Sequence, residues 1–482
     1  MSDSHKNNSH IKNHQNHDKQ INEALQQRLQ QLLMDLQLED APAGGAVVVY
    51  QAGKCIAEAS IGMARSDAPW QPETLAINFS TGKGVLATLV QVLVSQQLLN
   101  YDVPIAHYWP AFAAQGKETI TLRRVMSHQA NLFSIQSIDV DNDIILDWHT
   151  MLNKVAAMPM TPPDNADAYD SAYSALIYGW VLGGLVEAVT DMSLAEALSH
   201  YLTTPLGIAD SCYFGVPDSK IAKVATLARD FNASSDDNAA LPTPRNKRPK
   251  PTLKADSQHT LNTYANLPSY SCWQQHRLKN QAAANHDNGN DKAKLSDNKS
   301  PMLDTMRINS LYFNKSHLNL KNYKAALIPD NKNTLDYHNR ATLQAVIPAA
   351  NGVASAQALA TIYAMLANGG TWEGQRLIDN EIIKQLSVPQ VTGLDAVMPA
   401  KMYWRLGYHR VFHLCSDANK GAKTIDAEWS SFGHMGYNGS VAWCNPKRQL
   451  SFAFIHNFDT TMLHDIRQFA LIETVLSLVD DT

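Results

Sequence analysis

Residues 78–83 read Asn-Phe-Ser-Thr-Gly-Lys, and an apolar run from Val85 to Val94 follows them. The run predicts a buried helix, and Ser80 precedes Lys83 by three residues, one helical turn apart on the same face. A serine hydroxyl is a weak nucleophile, and a lysine takes its proton only when burial or nearby positive charge lowers the lysine pKa. The amides of the first turn would favour an oxyanion at Ser80. The stretch therefore predicts a nucleophile beside a base.

The same stretch has a purely structural interpretation, because serine at the start of a helix is a common cap. The Ser-x-x-Lys spacing also occurs at residues 9–12 and 296–299, in sequence rich in Asn, Asp, Lys and His without apolar periodicity. Only Ser80 opens a predicted buried helix. The rest of the chain has to decide between a cap and a reactive pair.

The composition indicates a large core and little net charge. The chain has 482 residues, 45% of them hydrophobic, and a formal net charge of -5, which allows several domains or one large enzyme with insertions. This charge gives no electrostatic case for nucleic acid or an anionic membrane. No apolar stretch reaches the length of a membrane span, and residues 1–19 lack the apolar centre of a secretion signal. We expect a cytoplasmic protein without nucleic-acid or membrane partners, and its oligomeric state stays open.

The cysteines are odd in number, widely separated and without a Cys-x-x-Cys pair: Cys55, Cys212, Cys272, Cys415 and Cys444. This spacing predicts reduced thiols rather than a disulfide frame or a zinc site. Four histidines between His5 and His17 lie in polar sequence that fixes no ligand geometry, so a disordered tail is the favoured interpretation of residues 1–18. No phosphate cradle or nucleotide fingerprint is present, and neither metal nor cofactor is predicted.

Hydrophobic periodicity divides the remainder into three parts. Residues 19–82 and 345–482 contain alternating, strand-like runs with flanking helices, and residues 83–216 have helical spacing. Residues 217–344 form a long polar insertion, predicted to be largely irregular, and its basic stretch at 245–250 is interpreted as a solvated loop. We predict an α/β fold of the α+β type, in which both chain ends form one antiparallel sheet flanked by helices beside a helical lobe. Ser80 falls at the junction of the lobes, where ligand sites are common.

Three short motifs, in this order, carry a family resemblance. Ser80-Thr81-Gly82-Lys83 resembles the S-x-x-K of penicillin-recognising serine hydrolases, and residues 173–180, beginning at Tyr173, resemble the tyrosine motif of their class C β-lactamase-like branch. His434-Met435-Gly436 resembles the third motif, K-T-G or H-x-G. The resemblance covers about residues 20–215 and 345–480 and includes the family VIII carboxylesterases. It implies the β-lactamase/penicillin-binding-protein fold.

The resemblance also implies roles for these residues. Ser80 Oγ would attack a carbonyl carbon and form an acyl-enzyme. Lys83 and Tyr173 would share the acid and base work, either with an ammonium that keeps Tyr173 phenolate-like or with Tyr173 relaying the proton to Lys83.

The third motif implies the groups that hold the substrate. The backbone N–H groups of Ser80 and of Tyr437, the residue after Gly436, would form the oxyanion hole. His434 would border the cleft and hydrogen-bond the substrate or the Tyr173 oxygen.

Two departures from the family pattern shift the expected substrate. Position 175 is Ala where class C β-lactamases have an amide-holding Asn, and His434 replaces the Lys that receives the β-lactam carboxylate. Ala donates no side-chain hydrogen bond, and a neutral imidazole offers less charge than an ammonium. The pattern favours a carboxylesterase for small esters over a β-lactamase or D-amino-acid peptidase or amidase. A catalytically silent binding protein on the same fold is the further alternative.

Overall fold

The computed structural model describes residues 20–37, 43–228, 256–287, 302–329, 335–415 and 430–479. The predicted polar tail at 1–18 and the basic stretch at 245–250 lie outside these ranges.

In the described ranges, the strands form one large antiparallel sheet and three small ones. The large sheet has six strands in the order β10-β11-β12-β13-β1-β2, and a second sheet has the order β5-β7-β6. The bounds are β1 Gly45–Gln51, β2 Lys54–Ile61, β3 Met63–Arg65, β4 Ala68–Pro69, β5 Ala76–Phe79, β6 Cys212–Tyr213, β7 Gly352–Ala354, β8 Thr371–Trp372, β9 Gln375–Arg376, β10 His409–Arg410, β11 Phe432–Met435, β12 Val441–Asn445 and β13 Leu450–His456.

Strands from both chain ends meet at the centre of the large sheet, which confirms the predicted fold class. The N-terminal β1 pairs with the C-terminal β13 from Gly45 opposite His456 to Gln51 opposite Leu450. The β1–β2 hairpin turns at Ala52 and Gly53, both at positive φ, where glycine is favoured.

Helices surround the sheet and build the lobe beside it. Their bounds are α1 Glu23–Gln37, α2 Gly82–Ser95, α3 Ile105–Tyr108, α4 Leu122–Met126, α5 Asn142–Ile145, α6 Trp148–Ala157, α7 Ile177–Thr190, α8 Leu194–Leu198, α9 Asp218–Ile221, α10 Gln258–Ala265, α11 Tyr270–Asp287, α12 Thr305–Tyr312, α13 Leu320–Leu327, α14 Arg340–Gln344, α15 Ala356–Ala367, α16 Asn380–Leu386 and α17 Arg467–Leu478. Within the described ranges, no helix combines the length and apolarity that crossing a membrane requires.

The alternation of β1 shows how the sheet separates two cores. Ala46, Val48 and Tyr50 belong to the core that contains α2 and α15. Val47 and Val49 point to the opposite face and pack in the core that contains α1 and α17. Successive side chains of a strand point to opposite faces, so one apolar strand serves both layers. Helix α2, which follows Ser80, is therefore buried between the sheet and the helical lobe.

The insertion is more ordered than its composition predicts. Where residues 217–344 are described, they contain α9 to α14, so the expectation of a largely irregular segment is wrong for those parts. Tyr312 of α12 stacks on Phe469 of α17 at a centroid distance of 3.8 Å, and its hydroxyl donates to the buried Glu473 at 2.8 Å. These contacts bury polar helices against the sheet domain. The boundaries of the four predicted parts remain a prediction.

The cysteines also differ from the prediction. Cys272 of α11 and Cys415, which follows β10, form a disulfide, whereas Cys55, Cys212 and Cys444 are free and buried. The prediction of five reduced thiols is therefore wrong. No local pattern indicated the disulfide because its two residues are 143 positions apart, and only the tertiary fold brings them together.

Candidate active site

The chain turns sharply between β5 and α2, and Ser80 lies in this turn. Phe79 ends β5 with φ at 50°, in the left-handed region that a bulky residue rarely adopts. The Thr81 hydroxyl donates to the carbonyl of Ser440 at 2.9 Å and so joins the start of α2 to the turn between β11 and β12. The backbone therefore holds Ser80 at the junction of the sheet and the helical lobe.

The Lys83 amine is fully buried and contacts Ser80. Its Nζ lies 2.9 Å from Ser80 Oγ. It also lies 2.7 Å from the carbonyl oxygens of both Ala175 and Ala349. Burial lowers the pKa of Lys83 well below 10.5, because desolvation penalises the ammonium.

These contacts orient the neutral amine. A neutral amine has two N–H groups and one lone pair, and the two carbonyls provide an acceptor for each N–H. The lone pair is then directed at the Ser80 hydroxyl. The hydroxyl has a second, longer acceptor in the Ala349 carbonyl at 3.2 Å.

Tyr173 also contacts the Ser80 hydroxyl. Burial raises the pKa of Tyr173, and a hydrogen bond with Ser80 lowers it in part, so the phenol is favoured over the phenolate. The Lys83 amine is 4.9 Å from the centroid of the tyrosine ring. The helical spacing predicted for residues 83–216 does not put Tyr173 in a helix: α7 begins at Ile177, and Tyr173 lies in the preceding loop.

A buried carboxylate, which sequence analysis missed, holds Tyr173 in place. Asp395 is 1% exposed, and no cation is among the groups that donate to it: Ser171 Oγ at 2.7 Å, Trp404 Nε1 at 2.9 Å, and the backbone N–H groups of Tyr173 at 3.3 Å, Val397 at 2.9 Å and Met398 at 2.9 Å. The Trp404 ring stacks on the Tyr173 ring, with centroids 5.3 Å apart and 9° between the planes. Asp395 therefore fixes both the backbone and the ring of Tyr173.

His434 lies on β11 beside this cluster and is 2% exposed. Its Nδ1 lies 2.9 Å from the Met435 carbonyl, which makes Nδ1 the donor and leaves Nε2 as an acceptor with no partner among the described residues. Burial, the nearby His409 and Lys83 lower the pKa of His434 well below 6.5, so the imidazole is neutral. The His434 and Tyr173 rings are 6.2 Å apart between centroids.

Two backbone donors and one close glycine contact complete the region around Ser80. In the described part of the chain, neither the N–H of Ser80 nor that of Tyr437 has a hydrogen-bond acceptor. A Cβ atom at Gly436 would lie 2.4 Å from the Asn78 carbonyl oxygen, so only glycine allows β11 to approach the end of β5 this closely. The Phe79 and Tyr437 rings, 5.9 Å apart between centroids, place Tyr437 beside the turn that carries Ser80.

The structure thus brings the sequence-predicted residues together at one place. Ser80, Lys83 and Tyr173 are in mutual contact, and the segment from His434 to Tyr437 lies alongside. Sequence analysis did not identify Asp395 and Trp404, which hold Tyr173. It also did not identify two tyrosines of the insertion, Tyr323 and Tyr337, which lie close enough to Tyr173 to raise its pKa. None of these lies in a motif or periodic pattern that would have identified it.

The chain is similar to known hydrolases over almost its whole length. The family model described as Beta-lactamase matches residues 23–476. Esterase/beta-lactamase LipL of Mycobacterium tuberculosis is 28% identical over 418 residues, which are 86% of this chain and 77% of LipL.

Two solved structures share the fold. A penicillin-binding protein homolog from Caulobacter crescentus superposes with a TM-score of 0.66 at 24% identity, covering 94% of this chain and 97% of the homolog. A family VIII carboxylesterase superposes with a TM-score of 0.62 at 22% identity, covering 93% and 96% of the two chains.

Proposed function

Since the chain belongs to the Beta-lactamase family, we propose that it is a serine hydrolase that cleaves a small ester through an acyl-enzyme on Ser80. The observation that carries the proposal is the 2.9 Å contact between a desolvated Lys83 amine and the Ser80 hydroxyl. A base whose pKa is lowered by burial is neutral and able to accept the proton of the attacking serine.

In the proposed acylation, Ser80 Oγ attacks the ester carbonyl carbon while its proton moves to Lys83 Nζ. The carbonyl oxygen becomes an oxyanion, which the N–H groups of Ser80 and Tyr437 stabilise. When the tetrahedral intermediate collapses, the bond to the alcohol breaks, and the Tyr173 phenol donates its proton to the departing oxygen. The Tyr173 phenolate then takes a proton from the Lys83 ammonium, which lies against its ring, so the phenol and the neutral amine are restored and the acyl group stays on Ser80.

Deacylation uses the same groups in reverse. A water molecule takes the place of the alcohol and attacks the acyl carbonyl, while the Tyr173 oxygen takes one proton from the water and passes its own phenol proton to Lys83 Nζ. The bond between the acyl group and Ser80 Oγ then breaks, Ser80 recovers its proton, and the acid leaves. In this assignment Lys83 is the base toward Ser80, and Tyr173 exchanges protons with the alcohol and the water.

The proposal favours esters over β-lactams because of charge. A β-lactam carries a carboxylate that a cation has to receive, and here the corresponding position holds the neutral, buried His434. Hydrolysis of β-lactams or D-amino-acid amides is the second candidate, supported by the double name of the relative LipL. The mutual contacts of Ser80, Lys83 and Tyr173 argue against a catalytically silent binding protein.

A comparison of three substrates tests this function. We expect kcat/KM of the wild type to be highest for a short-chain ester, lower for a cephalosporin and lowest for a D-alanyl peptide. Ser80→Ala should reduce ester turnover by several orders of magnitude, as removal of a catalytic nucleophile does. Preference for the cephalosporin would favour the second candidate, and full activity of Ser80→Ala would refute the proposal.

A further inference from the structure

Two tyrosines of the insertion lie in an aromatic cluster beside Ser80. The Tyr337 ring packs edge-on against Phe79, which precedes the nucleophile, at a centroid distance of 4.9 Å. The Tyr437 ring approaches Phe79 from another direction at 5.9 Å. The Tyr323 and Tyr437 hydroxyls lie close enough for each to shift the pKa of the other. We call Phe79, Tyr323, Tyr337 and Tyr437 the aromatic wall.

The structure anchors Tyr323 on both sides along the chain. The buried side chain of the preceding Asn322 accepts from the N–H of Asp164 at 2.8 Å and donates to its carbonyl at 3.1 Å. The carbonyl of the following Lys324 accepts from Gln136 at 3.2 Å. Both partners belong to the helical lobe, so α13 and Tyr323 are attached to that lobe.

Tyr337 is anchored from the opposite direction. The adjacent His338 contacts the Asp459 carboxylate at 3.0 Å, in the C-terminal segment that follows β13. The insertion therefore reaches from the helical lobe to the sheet domain, and its two tyrosines lie beside the nucleophile on the way. Contacts with both domains hold the aromatic wall in place before a ligand binds. Binding therefore costs little free energy for ordering the wall.

Three of the four rings of the aromatic wall are accessible, whereas the catalytic groups are buried. Tyr437 is 38% exposed, Tyr323, Tyr337 and Ser80 are partly exposed, and Phe79 is buried beneath the tyrosines. Lys83, His434 and Tyr173 are buried, at 0%, 2% and 6% exposure. A substrate that reaches Ser80 therefore approaches along the wall.

The side chains of the aromatic wall disfavour negatively charged substrate groups and favour flat aromatic ones. Asp459 lies close enough to raise the pKa of Tyr437, although burial is the larger cause, and Lys83 is favoured in its neutral form. An anionic group would lose its hydration there without gaining a cation. Aromatic rings gain an additional contribution from offset or edge-on contact with other rings.

We propose that Tyr323 and Tyr337 complete the substrate site, and that the aromatic wall binds a flat, uncharged aromatic group of the ester. This inference rests on the proposed esterase function and gives that function a substrate class. It also assigns the insertion a direct part in specificity, because two of the four rings belong to it.

Binding to Ser80→Ala tests the wall without catalysis. Methyl benzoate and methyl hexanoate form one pair of similar hydrophobicity, with the ring on the acyl side, and phenyl acetate and butyl acetate form a second pair, with the ring on the alcohol side. Calorimetry on Ser80→Ala should show tighter binding of the aromatic ester in at least one pair. The pair that shows it identifies the side of the ester that the wall holds.

Substitution of the two insertion tyrosines tests whether their rings cause the preference for aromatic esters. Tyr337→Leu and Tyr323→Leu, each combined with Ser80→Ala, should reduce the preference for the aromatic ester about 3- to 10-fold, because they remove a ring and keep apolar volume. Leu320→Ala changes an exposed residue of the same helix as Tyr323 and should leave the preference unchanged. Circular dichroism melts of each variant establish that it is folded.

The outcomes separate this inference from the proposed function. The inference would be overturned if the tyrosine variants lost aromatic and aliphatic binding equally. It would also be overturned if Ser80→Ala showed no preference for the aromatic esters. Either result would count against the inference even if the wild type hydrolyses esters. Ring-selective binding in a wild type that turns over no ester would instead support the wall as an aromatic site and count against the proposed function.

Discussion

The Lys83 amine lies 2.9 Å from the Ser80 hydroxyl oxygen, with its remaining contacts directed to two backbone carbonyls. An ammonium in this position would find three oxygen acceptors but no counter-charge among the described residues, at zero solvent exposure. A neutral amine satisfies both carbonyls and keeps its lone pair for the serine proton. The contact therefore assigns the base role to Lys83 in the proposed mechanism.

The pH dependence of activity should follow Lys83. Its pKa in the folded protein is lowered well below 10.5, so kcat/KM should rise with pH through that lowered value as the amine loses its proton. Tyr173, whose pKa is raised, should contribute no limb in the neutral range. A pH profile of the wild type and of Lys83→Met measures this, with residual activity in the variant reduced about 10²- to 10⁴-fold. An unchanged rising limb in Lys83→Met would contradict the assignment.

The free energy of unfolding should also increase with pH. Between the lowered pKa of Lys83 and 10.5, the unfolded chain binds a proton at this lysine that the folded chain does not bind. The free energy of unfolding contributed by Lys83 therefore increases with pH across that window. Urea unfolding of the wild type and Lys83→Met at several pH values measures the difference. A wild-type contribution that decreases with pH in this window would show that Lys83 stays charged in the fold.

Trp404→Phe should impair catalysis by loosening Tyr173. The substitution keeps a ring to stack on Tyr173 but removes the 2.9 Å hydrogen bond to Asp395. We expect kcat to fall about 10-fold with little change in KM, since the loss acts on proton transfer, which contributes about 10²- to 10⁴-fold in all. Tyr173→Phe should lower kcat by the full contribution of proton transfer, about 10²- to 10⁴-fold. Adding Trp404→Phe to Tyr173→Phe should lower kcat little further. Additive losses in the double variant would show that Trp404 acts independently of Tyr173.

Gly436→Ala should disrupt the proposed oxyanion hole. The new Cβ would lie 2.4 Å from the Asn78 carbonyl and 3.1 Å from Thr81 Oγ1, so the segment leading to Tyr437 has to move. Loss of one such donor lowers kcat by about 10²- to 10³-fold. Gly374→Ala is the control for backbone strain away from the site, because Gly374 has φ at 80° but a Cβ there meets nothing within 4 Å. It should lower stability and leave kcat at the wild-type value. Wild-type kcat in a folded Gly436→Ala would remove Tyr437 from the mechanism.

The sequence predicted those parts of the fold and the site that depend on residues close together in the chain. Ser80 and Lys83 meet because one turn of chain separates them, and the sheet followed from alternating apolar residues at both chain ends. Helical spacing runs through residues 83–216, yet Tyr173 precedes the first residue of α7. The Ser174 hydroxyl instead accepts from the N–H of Tyr178 at 2.9 Å and donates to the Leu132 carbonyl, which favours a loop before α7.

The parts that sequence analysis missed depend on contacts between distant segments. Asp395 is more than two hundred residues from Tyr173, and its role is visible only once the fold brings their hydrogen-bonding groups together. The helix around Tyr312 has a polar composition, and its burial comes from Phe469 and Glu473 on another element. Local periodicity carries no information about such partners.

The most direct test of the central claim is to trap the acyl group on Ser80. The wild type is mixed with a short-chain ester, quenched in acid during turnover, digested and analysed by mass spectrometry, with Ser80→Ala treated in parallel. We expect the peptide containing Ser80 to gain the mass of the acyl group and the corresponding peptide of the variant to show no such gain. An acyl group on a different residue, or ester turnover by Ser80→Ala at the wild-type rate, would contradict the proposed acyl-enzyme on Ser80.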